Sequence, residues 1–411
     1  MDRGRPLLNS SVAGLGVAFV LQLAAALGIA PQLGWNAAQL QALLWLFALP
    51  ATAGLVWTIA GRYAPREMGA SSNIAGFYAS GGTLATLGYL FQPSGLFAFG
   101  VFGGVILILA GGVQQMLAVL AAIPRRGESV VDVAHDPLTK GDDASFMQVR
   151  FAHYFLPLGL ALVAAAHAPF FGDASWVMPL KLAGYHVMLT GYALIALYGV
   201  SHLVVPRLCK VPAIAAGAIK GELHSSLPGI LLLAAGFAWS SPGLRIAGGL
   251  FLFFGAFVFM GVLGANIMKN KSPTQRVTQQ FVYVPWTFAG VFWLLAAVLL
   301  GVFLQPAVRT FSPQTVVDLA RVHANVALVG GFGTLMLGYL TRLWAQDPAA
   351  PPSFASMRWS FYALQASIGL GLYGILAARS WAMGAAAGLG LVALAGWFFI
   401  LGAHRPGRVR A

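Results

Sequence analysis

The chain has 411 residues, 59% of them hydrophobic and 9% charged, with a mean hydropathy of +0.79. A water-soluble core cannot absorb that much apolar surface, so composition excludes an ordinary soluble domain and points to an all-α, polytopic membrane protein. The net charge of +13 is explained by membrane topology and calls for no nucleic-acid partner. The single cysteine, Cys209, excludes an intramolecular disulfide and a thiolate metal cluster.

The basic N-terminus MDRGRP leads into an apolar run over 10–30. It exceeds the ~7–15 residues of a signal-peptide core, and reads as a retained first helix. Apolar segments of spanning length, ~17–25 residues, continue at 39–60, 73–92, 96–122, 148–170, 178–205, 224–240, 244–267, 281–304, 315–342, 357–378 and 381–402. That makes about twelve spans in one integral membrane domain, 1–411. Of the 24 basic residues, 19 fall at the termini or in loops after even-numbered spans; only Lys181, Arg245, Arg309, Arg321 and Arg379 lie opposite. By the positive-inside rule both termini are expected in the cytoplasm, in a bacterial-type inner membrane, with lipid as the immediate partner. The longest polar loop, Pro124 to Arg150, holds Glu128, Asp132, Asp136, Asp142 and Asp143. Its Asp132, His135 and Asp136 could bind a metal, although solvation alone accounts for them.

The second, sixth and tenth spans share a basic exit: RYAPRE at 62–67, VVPRL at 204–208 and LTRLW at 340–344. Aligning Gly191 and Gly199 with Gly330 and Gly338 sets His186 opposite Asn325, two residues past His323. Twelve spans would then form three four-helix units, 10–122, 148–267 and 281–402.

Topology sorts the eight histidines. His186 and His323 each lie about eight residues into parallel spans, roughly 12 Å below the outer surface at 1.5 Å per residue. An ionisable group inside a membrane helix is a functional candidate. Two imidazoles at one level in an apolar, glycine-lined interior suit a haem iron, or a haem facing a copper. Lys181 and Arg321, five and two residues upstream of these histidines, are the candidate partners for haem propionates. A second tier near the inner side, His153, His202 and His224, is a further candidate metal or proton-relay group. His186 and His202, 16 residues apart, project about 160° apart on an ideal helix and differ in depth by roughly 24 Å. The plainer reading is packing: His186 hydrogen-bonded one turn from Thr190, His224 capping with Glu222, Lys181 and Arg321 snorkelling outward, His404 solvated in the tail. Trp176 and Trp286 read as an interfacial belt, Tyr185 and Trp293 as packing.

These residues resemble the haem–copper oxidase superfamily, including its nitric oxide reductases, and the NnrS-type membrane haem/copper proteins. The sixth span reads HVMLTGYALIALYGVSHLVV, with His186 at the family's copper-ligand position. The tenth reads RVHANVALVGGFGTLMLGYLTR, with His323 at a haem-ligand position and a stretch similar to a C-terminal NnrS-type segment. The resemblance implies a haem b, with or without copper, held by His186 and His323. It further implies a role in nitric oxide metabolism or tolerance, or in respiratory electron transfer from a respiratory donor, and, if catalytic, oxidoreductase chemistry on nitric oxide or oxygen. Departures narrow it. The second span has no histidine, Asn325 stands at the second histidine of the tenth span, Thr190 replaces a tyrosine, and the seventh span lacks a histidine pair. No acid is expected deep in any span, so a complete proton-pumping oxidase is not expected. Two alternatives remain: a cofactor-poor subunit that anchors partners or carries quinone in a respiratory complex, and a transporter with a histidine proton relay.

Overall fold

The computed structural model describes residues 4–30, 34–63, 71–91, 95–123, 140–170, 174–209, 211–270, 283–344 and 354–403. Among them there is no strand, and the chain is a polytopic helical membrane protein. The helices are α1 (Arg5–Ala26), α2 (Trp35–Gln41), α3 (Leu49–Tyr63), α4 (Ser71–Leu90), α5 (Gly95–Ala122), α6 (Lys140–His167), α7 (Val177–His186) and α8 (Ile195–Cys209). They continue with α9 (Ala216–Ala238), α10 (Pro242–Asn270), α11 (Tyr283–Thr310), α12 (Pro313–Asn325), α13 (Thr334–Trp344), α14 (Phe354–Leu376) and α15 (Ser380–Ala403). The group Asp132/His135/Asp136 and His404 lie outside the described residues.

Three helix pairs are joined end to end by π-helical stretches: π1 (Ala42–Ala48), π2 (Val187–Leu194) and π3 (Val326–Gly333). Each therefore forms one membrane-length span, α2–π1–α3, α7–π2–α8 and α12–π3–α13. Long π-helical runs are rare, because the wider ring leaves the axis poorly packed, and they concentrate at functional sites. The onsets of π2 and π3 agree with the glycine alignment: His186 and Asn325 are each the last α-helical residue before the stretch.

Nine helices among the described residues are long and apolar enough to cross a bilayer. The three π-containing spans are 83–89% buried, whereas the other six are 33–56% buried. The former are wrapped by protein; the latter keep a face for lipid, carrying side chains such as Phe254, Phe292 and Phe399. Three further helices, α4, α9 and α14, are more polar. Each packs along the apolar helix that follows it, α5, α10 and α15. In α4–α5 the backbones meet at Gly81 and Gly104: a Cβ on either would lie 2.6 Å from the other's carbonyl oxygen. The α9–α10 and α14–α15 turns close alike. Ser240 and Ala378 take φ of 51° and 50°, while Ser241 N–H and Arg379 N–H each bond at 2.8 Å to the carbonyls of Gly236 and Gly374, the Schellman pattern.

Two expectations about element bounds change. Asp142 and Asp143 belong to the first turn of α6 and not to a loop, where negative charge offsets the helix dipole. The seventh apolar segment begins earlier than hydropathy indicates, at Ala216, because alternate faces of its first turns carry Lys220 and Glu222.

The chain divides into two compact units. One comprises Met1–Gly14 and Leu44–Asn270; the other comprises Leu15–Leu43 and Lys271–Ala411.

Candidate functional site

His186 lies in the first unit. Its Nδ1 is 2.8 Å from the Leu182 carbonyl oxygen, and its ring stacks on Phe237 of α9 at 4.3 Å between centroids. A carbonyl oxygen only accepts, so Nδ1 carries the proton and the lone pair of the neutral ring sits on Nε2. Thr190 donates to the carbonyl oxygen of His186 at 2.6 Å, so it caps the main chain and not the imidazole. Nearby side chains on α7 point elsewhere. The Lys181 ammonium lies 4.8 Å over the Tyr89 ring, and Tyr89 Oη is 2.9 Å from His167 Nε2 and 3.4 Å from Tyr185 Oη.

His323 lies in the second unit with the same tautomer. Its Nδ1 is 2.8 Å from the carbonyl oxygen of Ala297 on α11, and a Cβ added at Gly301 would sit 3.0 Å from its Cε1. The small residue at 301 makes room for the ring. At the aligned position of the first unit, Gly184 meets Gly159 instead, so His323 occupies what is there a glycine–glycine contact. In the same unit Ala297, Val322, Val326 and Ile375 form an apolar core cluster. Arg321 donates to Asp318 at 3.4 Å and to Asn36 at 2.9 Å. Within this unit Gln39 Nε2 donates to Asn325 Oδ1 at 3.3 Å and to Gln22 Oε1 at 3.2 Å. Gln22, Asn36, Gln39, Arg321, Asn325 and Ser367 line the polar side of a small pocket.

The inner tier separates. His153 is fully buried; its Nδ1 is 2.6 Å from the Val149 carbonyl oxygen, so Nε2 accepts from Gln115 at 3.1 Å. Gln115 also donates to Tyr192 at 2.6 Å and accepts from Tyr78 at 2.8 Å. His202 Nε2 is 2.8 Å from Glu222 Oε2, while His224 is exposed on α9. Among the described residues no three His, Cys, Asp or Glu side chains cluster to hold a metal ion.

Three sequence readings are corrected. Glu222 is a buried acid, at 0% exposure; it pairs with His202 and not with His224, which lies two residues on and so projects to another face. Trp286 is fully buried against Gly338, and is no interfacial anchor. The angular separation of His186 and His202 cannot be counted at 100° per residue, because π2 intervenes. Trp293, by contrast, packs and donates to Gln365 at 2.7 Å.

No family model matches the chain, and no curated protein matches it in sequence.

Proposed function

We propose that this is an integral membrane haem-binding protein of oxidase-like fold, which takes a haem b with or without copper and uses His186 and His323 as its metal ligands. The observation that carries this reading is the shared tautomer. Each imidazole donates Nδ1–H to a main-chain carbonyl and so keeps its lone pair on Nε2, the tautomer in which histidine ligands are held. Both stand at or within one turn of the onset of a π-helical stretch. The bound group would supply a redox-active iron for electron transfer or for binding nitric oxide or oxygen. The protein supplies the two rings and their orientation.

Counting α4, α9 and α14 as spans gives twelve, in three four-helix units, and the basic residues then put both termini in the cytoplasm of a bacterial-type cell. Lys181 and Arg321 remain the cations proposed for the propionates. The Gln39–Asn325 contact favours a single haem: Asn325 stands at the family's second tenth-span histidine, and its amide is bonded to Gln39 of the second span, which has no histidine. The same contact supports the second reading, a cofactor-poor subunit that anchors partners or carries quinone.

Haem extraction and metal analysis of the purified protein separate the two. One haem per chain, with or without one copper, supports the first reading. Absence of both metals supports the second.

A further inference from the structure

Around Glu222 the first unit encloses a group of polar atoms that haem binding does not use. Gln148 donates from Nε2 to Glu222 Oε1 at 2.9 Å, and His202 meets Oε2 at 2.8 Å. Tyr198 precedes His202 by one turn on α8, and Ser226 follows Glu222 by one turn on α9, so each shares its neighbour's face. From α10, Phe259 stacks on Tyr198 at 4.2 Å and meets His202 edge-on at 5.3 Å. Gly255, one turn before Phe259, faces Ser226. Gln148, Tyr198, His202, Glu222 and Ser226 are all at 0–1% exposure.

Four atoms of this group have no hydrogen-bond partner among the described residues: Gln148 Oε1, Tyr198 Oη, His202 Nδ1 and Ser226 Oγ. Buried polar atoms are seldom left so, and four beside one carboxylate indicate something small that both donates and accepts. A charged pair between α6 and α8 is committed elsewhere: Arg207 grips Asp142 at 2.8 and 3.1 Å. Lys220 and His224 are exposed, and α10 contributes no titratable side chain to this face.

We propose that Gln148, Tyr198, His202, Glu222 and Ser226 form an internal proton-binding site, holding one exchangeable proton together with bridging water. The proton resides on the Glu222–His202 pair. Tyr198 and Ser226 both donate and accept, and relay it to the water. An acid–imidazole pair enclosed in a membrane helix bundle is the chemistry of proton-carrying sites.

Infrared difference spectra of the full chain in nanodiscs, stepped between about pH 5 and 9, test this without reference to haem. The expected result is a carboxyl band that shifts in D2O, is lost in Glu222→Gln and is displaced in Tyr198→Phe and Ser226→Ala, which leave the pair itself intact. A wild-type protein with no such band, or a band unmoved by Tyr198→Phe and Ser226→Ala, overturns the proposal and leaves a structural pair only. Either result can occur with or without bound haem.

Discussion

Asn325 accepts a hydrogen bond from Gln39, two buried or half-buried amides brought to 3.3 Å from positions 286 residues apart. Gln39 is at 5% exposure, so its amide must find partners within the protein, and it finds two. Removing Asn325 leaves Gln39 with Gln22 alone, and removing Gln39 takes the donor from Asn325 Oδ1. Gln39→Ala and Asn325→Ala are each expected to cost about 1–3 kcal/mol. A double-mutant cycle read by thermal or denaturant unfolding in detergent should return a coupling of about 0.5–1.5 kcal/mol. Strictly additive losses would show that the contact is incidental.

The π-helical stretches set the angular relation between the two halves of each span. Deleting one residue from Val326–Gly333 should change the angular register of Pro313–Asn325 against Thr334–Trp344. The Nδ1 contact of His323 with Ala297 would be lost. A matching deletion in Ala42–Ala48 alters neither candidate histidine directly. If haem content falls in the first deletion and survives in the second at equal expression, the register of π3 matters to the site. Equal effects would reduce π3 to general packing.

The Arg207–Asp142 ion pair joins α8 to the first turn of α6 in a two-point grip. Asp142 is 1% exposed on its side chain and Arg207 20%, so the pair is screened less than a surface one but not sealed. Arg207→Lys keeps the charge and loses the fork; it should lower stability by about 1–2 kcal/mol. Asp142→Asn should cost about as much or more, since it leaves the guanidinium facing a neutral amide. Unfolding curves for both variants check the order.

How much of this was legible beforehand differs by feature. Membrane class and most spans follow from apolar length, which needs only residue type. The start of α9 does not, because Lys220, Glu222 and His224 lower its hydropathy although Glu222 points inward and the other two outward. Hydropathy cannot show which face is buried. Nor does it register π2 and π3, which differ from α-helix in hydrogen-bond spacing alone. One trace was present: aligned Gly191 and Gly330 each meet an aromatic ring, Phe155 and Trp293, from the preceding long helix. The carbonyl partners of His186 and His323 had no sequence signal, since main-chain acceptors are the same at every position.

Topology is open to a direct check. In a Cys209→Ser background, cysteines placed at Ser240 and Ala378, in the turns after α9 and α14, should react with an impermeant maleimide added outside intact cells. Cysteines at either terminus should react only after lysis. The reverse pattern would invert the orientation drawn from the basic residues, and would move His186 and His323 to the inner half of the membrane.

The absorption spectrum of the purified protein tests the central claim most directly. The account predicts a Soret band in the wild type, lost or strongly reduced in His323→Ala and shifted in His186→Ala. It should remain unchanged in His224→Ala, whose ring is exposed on α9. A wild-type spectrum without a Soret band, from protein that is folded and expressed with haem in supply, would contradict it.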